Sequence, residues 1–166
     1  AEDIYNVTKT AFKNLINALG PNVKLTALFE TVDDVKRDIR EKLVYVAVIN
    51  RMITVGCIRC ENKPKKTAYI SRFAVLPNWQ QYGAGRALME KVEEECRHDN
   101  IKSLSLHTAT NMMKLARFYY SCGYYVKSVD DSRGYPRGLF TKELTSINID
   151  NLDFDINTIN PNDRLT

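Results

Sequence analysis

Apolar residues Ile4, Val7, Ala11, Leu15 and Ile16 recur at intervals of three and four, the spacing of one helix face, and the pattern stops at Gly20-Pro21. The spacing predicts a helix over residues 3–19. A second helix is predicted from Thr31 to Lys42. Thr31 is a residue type that caps helices, Asp33 and Asp34 complement the positive end of the helix dipole, and Val32, Val35 and Ile39 are expected on the buried side. The period then changes. Leu43–Ile49 and Met52–Cys60 are β-rich runs flanking Asn50-Arg51, the separation of a tight hairpin, and Ala68–Leu76 follows a polar loop as a third strand ended by Pro77.

From Gly83 to about His98 the pattern is helical again, with Ala84, Leu88, Val92 and Cys96 in one stripe. Glu90, Glu93, Glu94, Glu95 and Arg97 fall mostly outside the stripe, so the acidic run reads as a solvated face. Residues 103–108 read as a short strand, 112–121 as a helix, and Tyr124–Val129 and Leu139–Leu144 as two strands around a loop containing Gly and Pro. The order ααβββαβαββ, without internal repeat, indicates an α/β protein with a mixed sheet. With 44% apolar residues in 166, the chain can close a core without metal or disulfides. Residues 1–145 are expected to form one domain. The Asn/Asp-rich segment 146–166 is expected to add an edge strand over 146–160 and then a disordered end.

The formal charge of +4 is unevenly spread: residues 146–166 hold four acids against Arg164, so residues 1–145 carry +7. A basic body attracts an anionic partner, whether nucleic acid, an acidic membrane surface or a phosphorylated cofactor. The longest apolar stretch, Leu43–Ile49, is far short of the roughly 20 residues that cross a bilayer, and the first twenty residues carry polar groups throughout. A soluble chain without a secretory signal, with no membrane partner, is expected. The four cysteines are too few and too scattered for a disulfide scaffold, which fits a cytoplasmic location. Lys63-Pro64-Lys65-Lys66 lacks interleaved aromatics and reads as a solvated turn, so no nucleic-acid partner is expected. Cys57 and Cys60, three apart on a strand, point to opposite faces, and no second such pair exists, so no metal is expected.

The richest stretch runs strand, loop, glycine turn, helix from Phe73 to Arg86. Two glycines one residue apart, Gly83 and Gly85, let the backbone approach a ligand, and a first helical turn offers unpaired N–H groups to phosphate oxygens. Gln81 to Leu88 contain no acid and include Arg86, which suits an anion. A close helix-to-strand packing contact would equally explain the glycines. Neither the third glycine of a dinucleotide fingerprint nor the GK[ST] of a Walker loop is present.

Gln80-Gln81-Tyr82-Gly83-Ala84-Gly85 after Val75-Leu76-Pro77 resembles the acyl-CoA-binding motif of the GNAT superfamily of N-acetyltransferases. Phe118-Tyr119-Tyr120-Ser121-Cys122-Gly123-Tyr124 is similar to a second motif of that family, and the likeness spans about residues 4–145. The resemblance implies the GNAT fold, with two central strands splayed apart, and transfer of an acetyl group from acetyl-CoA to a small-molecule or peptide amine by direct attack. A homodimer is compatible with it. The family usually opens with a strand before its first helix; none is seen, so either the chain is truncated or segment 146–160 fills the gap.

By the same resemblance, Phe73, Ala74, Val75, Gln80, Gln81, Tyr82, Gly83, Ala84, Gly85, Arg86, Asn111 and Tyr119 contact acetyl-CoA. The Phe73 N–H is aimed at the acetyl oxygen, Val75 pairs with the pantetheine arm, and Tyr119 (with Tyr120 the alternative) is the acid toward the departing sulfur. Where several relatives place Glu, this chain has Ser71, which cannot take a proton from an ammonium of pKa about 10. Tyr69, His107, Asp130 and Asp131 are then candidates for relaying it, and His107 has the right intrinsic pKa. Cys122 is read as buried filler or an oxidation-sensitive thiol near that sulfur, and Trp79 as an adenine-side or packing residue. The rival readings are a CoA-binding scaffold that has lost catalysis, which Ser71 supports, and a nucleic-acid module.

Overall fold

The structure, a computed structural model, describes residues 1–20 and 23–144. The chain opens with helix α1 (Glu2–Leu19), a 3₁₀ turn at Thr26–Phe29 and helix α2 (Val32–Glu41). Strands β1 (Leu43–Ile49), β2 (Ile53–Lys63) and β3 (Thr67–Val75) come next. Helix α3 (Ala84–His98), β4 (Ser103–Ala109), α4 (Met113–Ser121), β5 (Tyr125–Asp130) and β6 (Arg137–Glu143) complete it. The expected segment 146–160 and the end after it lie outside the described residues.

Local chemistry accounts for several boundaries. Thr31 and Asp34 form a reciprocal capping box at the start of α2, with each side chain accepting from the other's backbone N–H. Asn50 (φ 50°) and Arg51 (φ 61°) both adopt the left-handed conformation that a two-residue hairpin turn requires, and the Met52 N–H donates to the Ile49 carbonyl at 3.0 Å. The hairpin therefore closes at Asn50-Arg51, as its spacing predicts.

The six strands are ordered β1-β2-β3-β4-β6-β5, and only β3 and β4 run parallel. The main core lies between the sheet and helices α3 and α4, with Ile58, Ile70, Leu88, Val92, Leu104 and Phe140 at its centre. On the opposite face, Ile4 and Val7 of α1 and Val35 of α2 pack with Cys57 and Ala74. Cys57 and Cys60 thus point to opposite faces, as strand geometry requires, and Cys60 Sγ lies 3.9 Å from Cys96 Sγ. No helix among the described residues is long and apolar enough to cross a membrane.

Two burial expectations are corrected. In α2, Asp38 is buried and Ile39 is 44% exposed. Arg59 of β2 is the reason. It is fully buried, and its guanidinium donates to both Glu30 oxygens (2.6 and 2.9 Å) and to Asp38 (2.7 Å). Burial alone would raise the Asp38 pKa, but hydrogen bonds from Arg59 and Lys42 outweigh it and hold the carboxyl below its ordinary value. In α3, Glu93 is buried rather than solvated, because it accepts from Lys142 at 2.6 Å and Arg97 at 3.3 Å.

A bulge in β3 reverses which of its residues face the main core. Cys57 faces Ala74 and Arg59 faces Ser71, so the single residue Ile58 opposes both Arg72 and Phe73. Arg72 takes the left-handed conformation (φ 49°) that the extra residue imposes. Before the bulge, Ala68 and Ile70 pack toward α3 and α4; after it, Phe73 and Val75 do, while Ala74 faces α1.

Candidate active site

The parallel β3–β4 ladder lasts for three positions, Thr67–Tyr69 against Ser103–Ser105, and the two strands then share no register. They splay. At the divergence lies a cavity of about 300 Å³ that reaches from Phe12 and Leu15 of α1 to Phe73 and Tyr119. Tyr69, Ser71 and Arg72 line it from β3, and Leu106, His107 and Thr108 from β4. Arg133 and Tyr135 of the β5–β6 loop, with Arg137 of β6, close its far side.

The cavity brings together Phe73, His107 and Tyr119, three residues singled out from the sequence. The bulge explains Phe73. Without the extra residue it would share a face with Tyr69 and Ser71; with it, the ring stacks on Phe118 at 5.7 Å and meets Tyr119 edge-on at 6.3 Å. Tyr119 is buried among Phe118, Tyr124 and Phe140, and burial first, then Cys122 and Tyr69, pushes its phenol far above the usual value near 10. Tyr120 is 54% exposed against Phe140 and does not line the cavity. Cys122 packs in the main core.

His107 Nδ1 lies 2.8 Å from the Tyr69 hydroxyl. Burial, then the charge of Arg137, lowers the His107 pKa; Asp130 opposes them and Arg133 adds to them. The imidazole is therefore neutral at pH 7 and able to accept a proton. Burial raises the Tyr69 pKa against the opposing charges of Arg137, Arg133 and Arg72. Asp130 and Asp131, weighed as proton relays, are exposed and line no part of the cavity. Asp130 instead accepts from the Ser132 N–H at 3.1 Å.

At the head of α3 the two glycines differ in purpose. Gly83 (φ 90°) needs the left-handed conformation, and a Cβ there would meet nothing within 4 Å. A Cβ on Gly85 would approach the Phe73 ring to 3.3 Å and the Phe118 ring to 3.4 Å, so Gly85 is held by packing. Packing explains Gly85, and the left-handed turn explains Gly83. The first turn of α3 has no acid and no side-chain cap, which leaves its amide dipoles uncompensated.

Other residues expected at the ligand make the following contacts within the protein. Gln80 turns back to donate to the Val75 carbonyl at 3.2 Å, and Arg86 bonds the Ser121 hydroxyl at 2.9 Å, tying α3 to the end of α4. Tyr82 is 79% exposed beside Trp79. Asn111 is exposed in the turn before α4, where Met112 is the cap, and it lies off the cavity lining.

The sequence patterns missed the buried Arg59 network and the arginine-lined far side. A lone Arg between Ile58 and Cys60 in an apolar strand was the available signal for the first.

Residues 10–124 match the acetyltransferase (GNAT) family. The chain belongs to that family. A curated relative from Bacillus subtilis (strain 168), the uncharacterized protein YyaT, is 28% identical over 118 residues, covering 70% of this chain and 74% of that protein. Among solved structures, the PaiA N-acetyltransferase of Thermoplasma acidophilum in complex with coenzyme A superposes with a TM-score of 0.71 at 16% identity, over 86% of this chain and 91% of that one. A GNAT acetyltransferase from Elizabethkingia anophelis with acetyl-CoA bound gives 0.58 at 19% identity, over 68% and 83%. These similarities show the fold, and family membership makes acetyl transfer the general chemistry of the chain.

Proposed function

We propose that the chain is an acetyl-CoA-dependent N-acetyltransferase acting on a primary amine, by direct attack at the β3–β4 divergence. One observation carries the reading: the splay sets Phe73, Tyr119 and the Tyr69–His107 pair around one cavity, close to the Phe73–Gly85 contact at the acid-free head of α3. These residues fit acetyl-CoA. The cosubstrate supplies an acetyl thioester. Main-chain groups of Phe73 to Val75 would hold its arm, and the amides at Gly83 to Gly85 its phosphates.

By the family resemblance the Phe73 N–H would serve the carbonyl oxygen where negative charge develops, and the place of Phe73 in the β3 bulge, beside the divergence from β4, supports that role. Tyr69 takes a proton from the incoming ammonium as its own passes to His107 Nδ1, a relay that replaces the missing carboxylate at Ser71. Tyr119, protonated at every working pH, donates toward the departing thiolate. Burial weakens Tyr119 as an acid, so its proton would move only as the C–S bond breaks, and the proton lost by the nitrogen when the tetrahedral adduct collapses would restore the phenol.

Saturating acetyl-CoA is expected to stabilise the protein by about 2.7 kcal/mol at 100 times its dissociation constant, read as a rise in Tm. No rise would refute the reading. The His107 role sets a pH dependence: the active neutral imidazole is lost as pH falls through a pKa below the ordinary value of about 6.5. The acid limb of kcat/KM is therefore expected below pH 6.5 and should disappear in His107→Gln. An unchanged limb in the variant would assign it to another group. The scaffold reading rests on Ser71; acetyl transfer to any amine above the uncatalysed rate would exclude it.

A further inference from the structure

We propose that the acceptor is an amine that also carries a carboxylate, a free amino acid or short peptide with an apolar side chain, whose carboxylate is bound by Arg133 and Arg137. The proposal rests on the transferase reading above and names its substrate class.

The charge of the cavity is one-sided. Among the described residues its lining contains three arginines and no Asp or Glu. Arg72 is already engaged, since its Nε donates to Glu30 at 3.1 Å. Arg133 and Arg137 are different: both are half-buried, and neither has a carboxylate within 4 Å among the described residues. Asp130 faces Arg137 across the β5–β6 ladder, but its carboxylate is turned to Ser132 and stays off the lining. Arg133 and Arg137 thus form no ion pair among the described residues, with Asp130 acting on Arg137 only at longer range, and guanidiniums partly out of water favour a carboxylate, which each can grip with two parallel hydrogen bonds.

The remaining walls fix the rest of the molecule. Phe12, Leu15 and Leu19 of α1, with Leu25, present an apolar surface to the same space. Tyr69 and His107, the pair that would meet the amine, line the same space from β3 and β4. The lining thus offers groups for an amine, a carboxylate and an apolar side chain, the three parts of an apolar α-amino acid. A polyamine or aminoglycoside would bring several positive charges to two arginines in a cavity whose described lining holds no acid, an arrangement that disfavours binding.

The test is steady-state acetylation of free amino acids and dipeptides with apolar side chains, their carboxamides, spermidine and kanamycin. Free acids are expected to exceed their carboxamides by about tenfold or more in kcat/KM, mainly through KM. Arg137→Gln and Arg133→Gln should shrink that ratio toward one while acetyl-CoA still raises Tm, which shows that each variant is folded. Carboxamides or polycations turned over as well as the free acids would overturn the proposal, as would retention of the ratio in both variants. If acetyl-CoA itself fails to bind, the transferase reading falls separately. Calorimetric titration of L-phenylalanine against L-phenylalaninamide then decides the anion pocket: tighter binding of the acid upholds it, and equal or weaker binding refutes it.

Discussion

Arg59→Ala is expected to destabilise the fold by about 3–5 kcal/mol, the cost of leaving buried charges without their partner. Glu30 and Asp38 are themselves buried, and both lose their hydrogen bonds to the guanidinium. Chemical denaturation of wild type and variant measures the loss. Adding Glu30→Gln and Asp38→Asn to Arg59→Met should recover about half or more of it, because no uncompensated charge then remains. The wild type should also lose stability in acid. The Asp38 pKa is depressed in the folded state, so its contribution is complete above the ordinary carboxylate value of about 3.9 and disappears as pH falls through the folded value. A loss under about 1 kcal/mol on Arg59→Ala would mean that water fills the site or that the segments it joins relax apart. The network also reaches function, since Glu30 follows the 3₁₀ turn whose Thr26 and Ala27 line the cavity.

Tyr119→Phe is expected to lower kcat by about 10²-fold while acetyl-CoA affinity changes less than about threefold. The ring remains, so its packing with Phe73, Phe118, Tyr124 and Phe140 is kept and only the hydroxyl is lost. Single-turnover kinetics with a titration of acetyl-CoA separates the two quantities. Equal turnover in the variant would remove Tyr119 from the acid role and leave it a packing residue. Tyr120→Phe should be silent, because Tyr120 is outside the cavity.

Features written in a few adjacent residues were legible in the sequence. The helix cap at Thr31, the two-residue hairpin turn at Asn50-Arg51 and the apolar stripe of α3 each depend on local spacing, and each is present. Phe73 and Tyr119 were legible through motifs that specify a turn and a helix end. What escaped depends on partners distant in sequence. Nothing in the run Tyr69-Ile70-Ser71-Arg72-Phe73 marks an extra residue; the bulge exists only against the shorter count of β2. Asp38 displaces Ile39 from the interior because Arg59, 21 residues later, is there to meet it. Glu93 is buried because Lys142 reaches it from β6, 49 residues away. Arg133 and Arg137 were visible as charges, but their shared cavity arises from the divergence of β3 and β4.

The central claim is that the gap between those strands receives the pantetheine arm of acetyl-CoA. A crystal structure with CoA bound tests it most directly. The account predicts the pyrophosphate against the amides of Gly83 to Gly85, the arm along Phe73 to Val75, and the sulfur within hydrogen-bonding reach of the Tyr119 hydroxyl. CoA seated elsewhere, with β3 and β4 closed together by their own side chains, would contradict it.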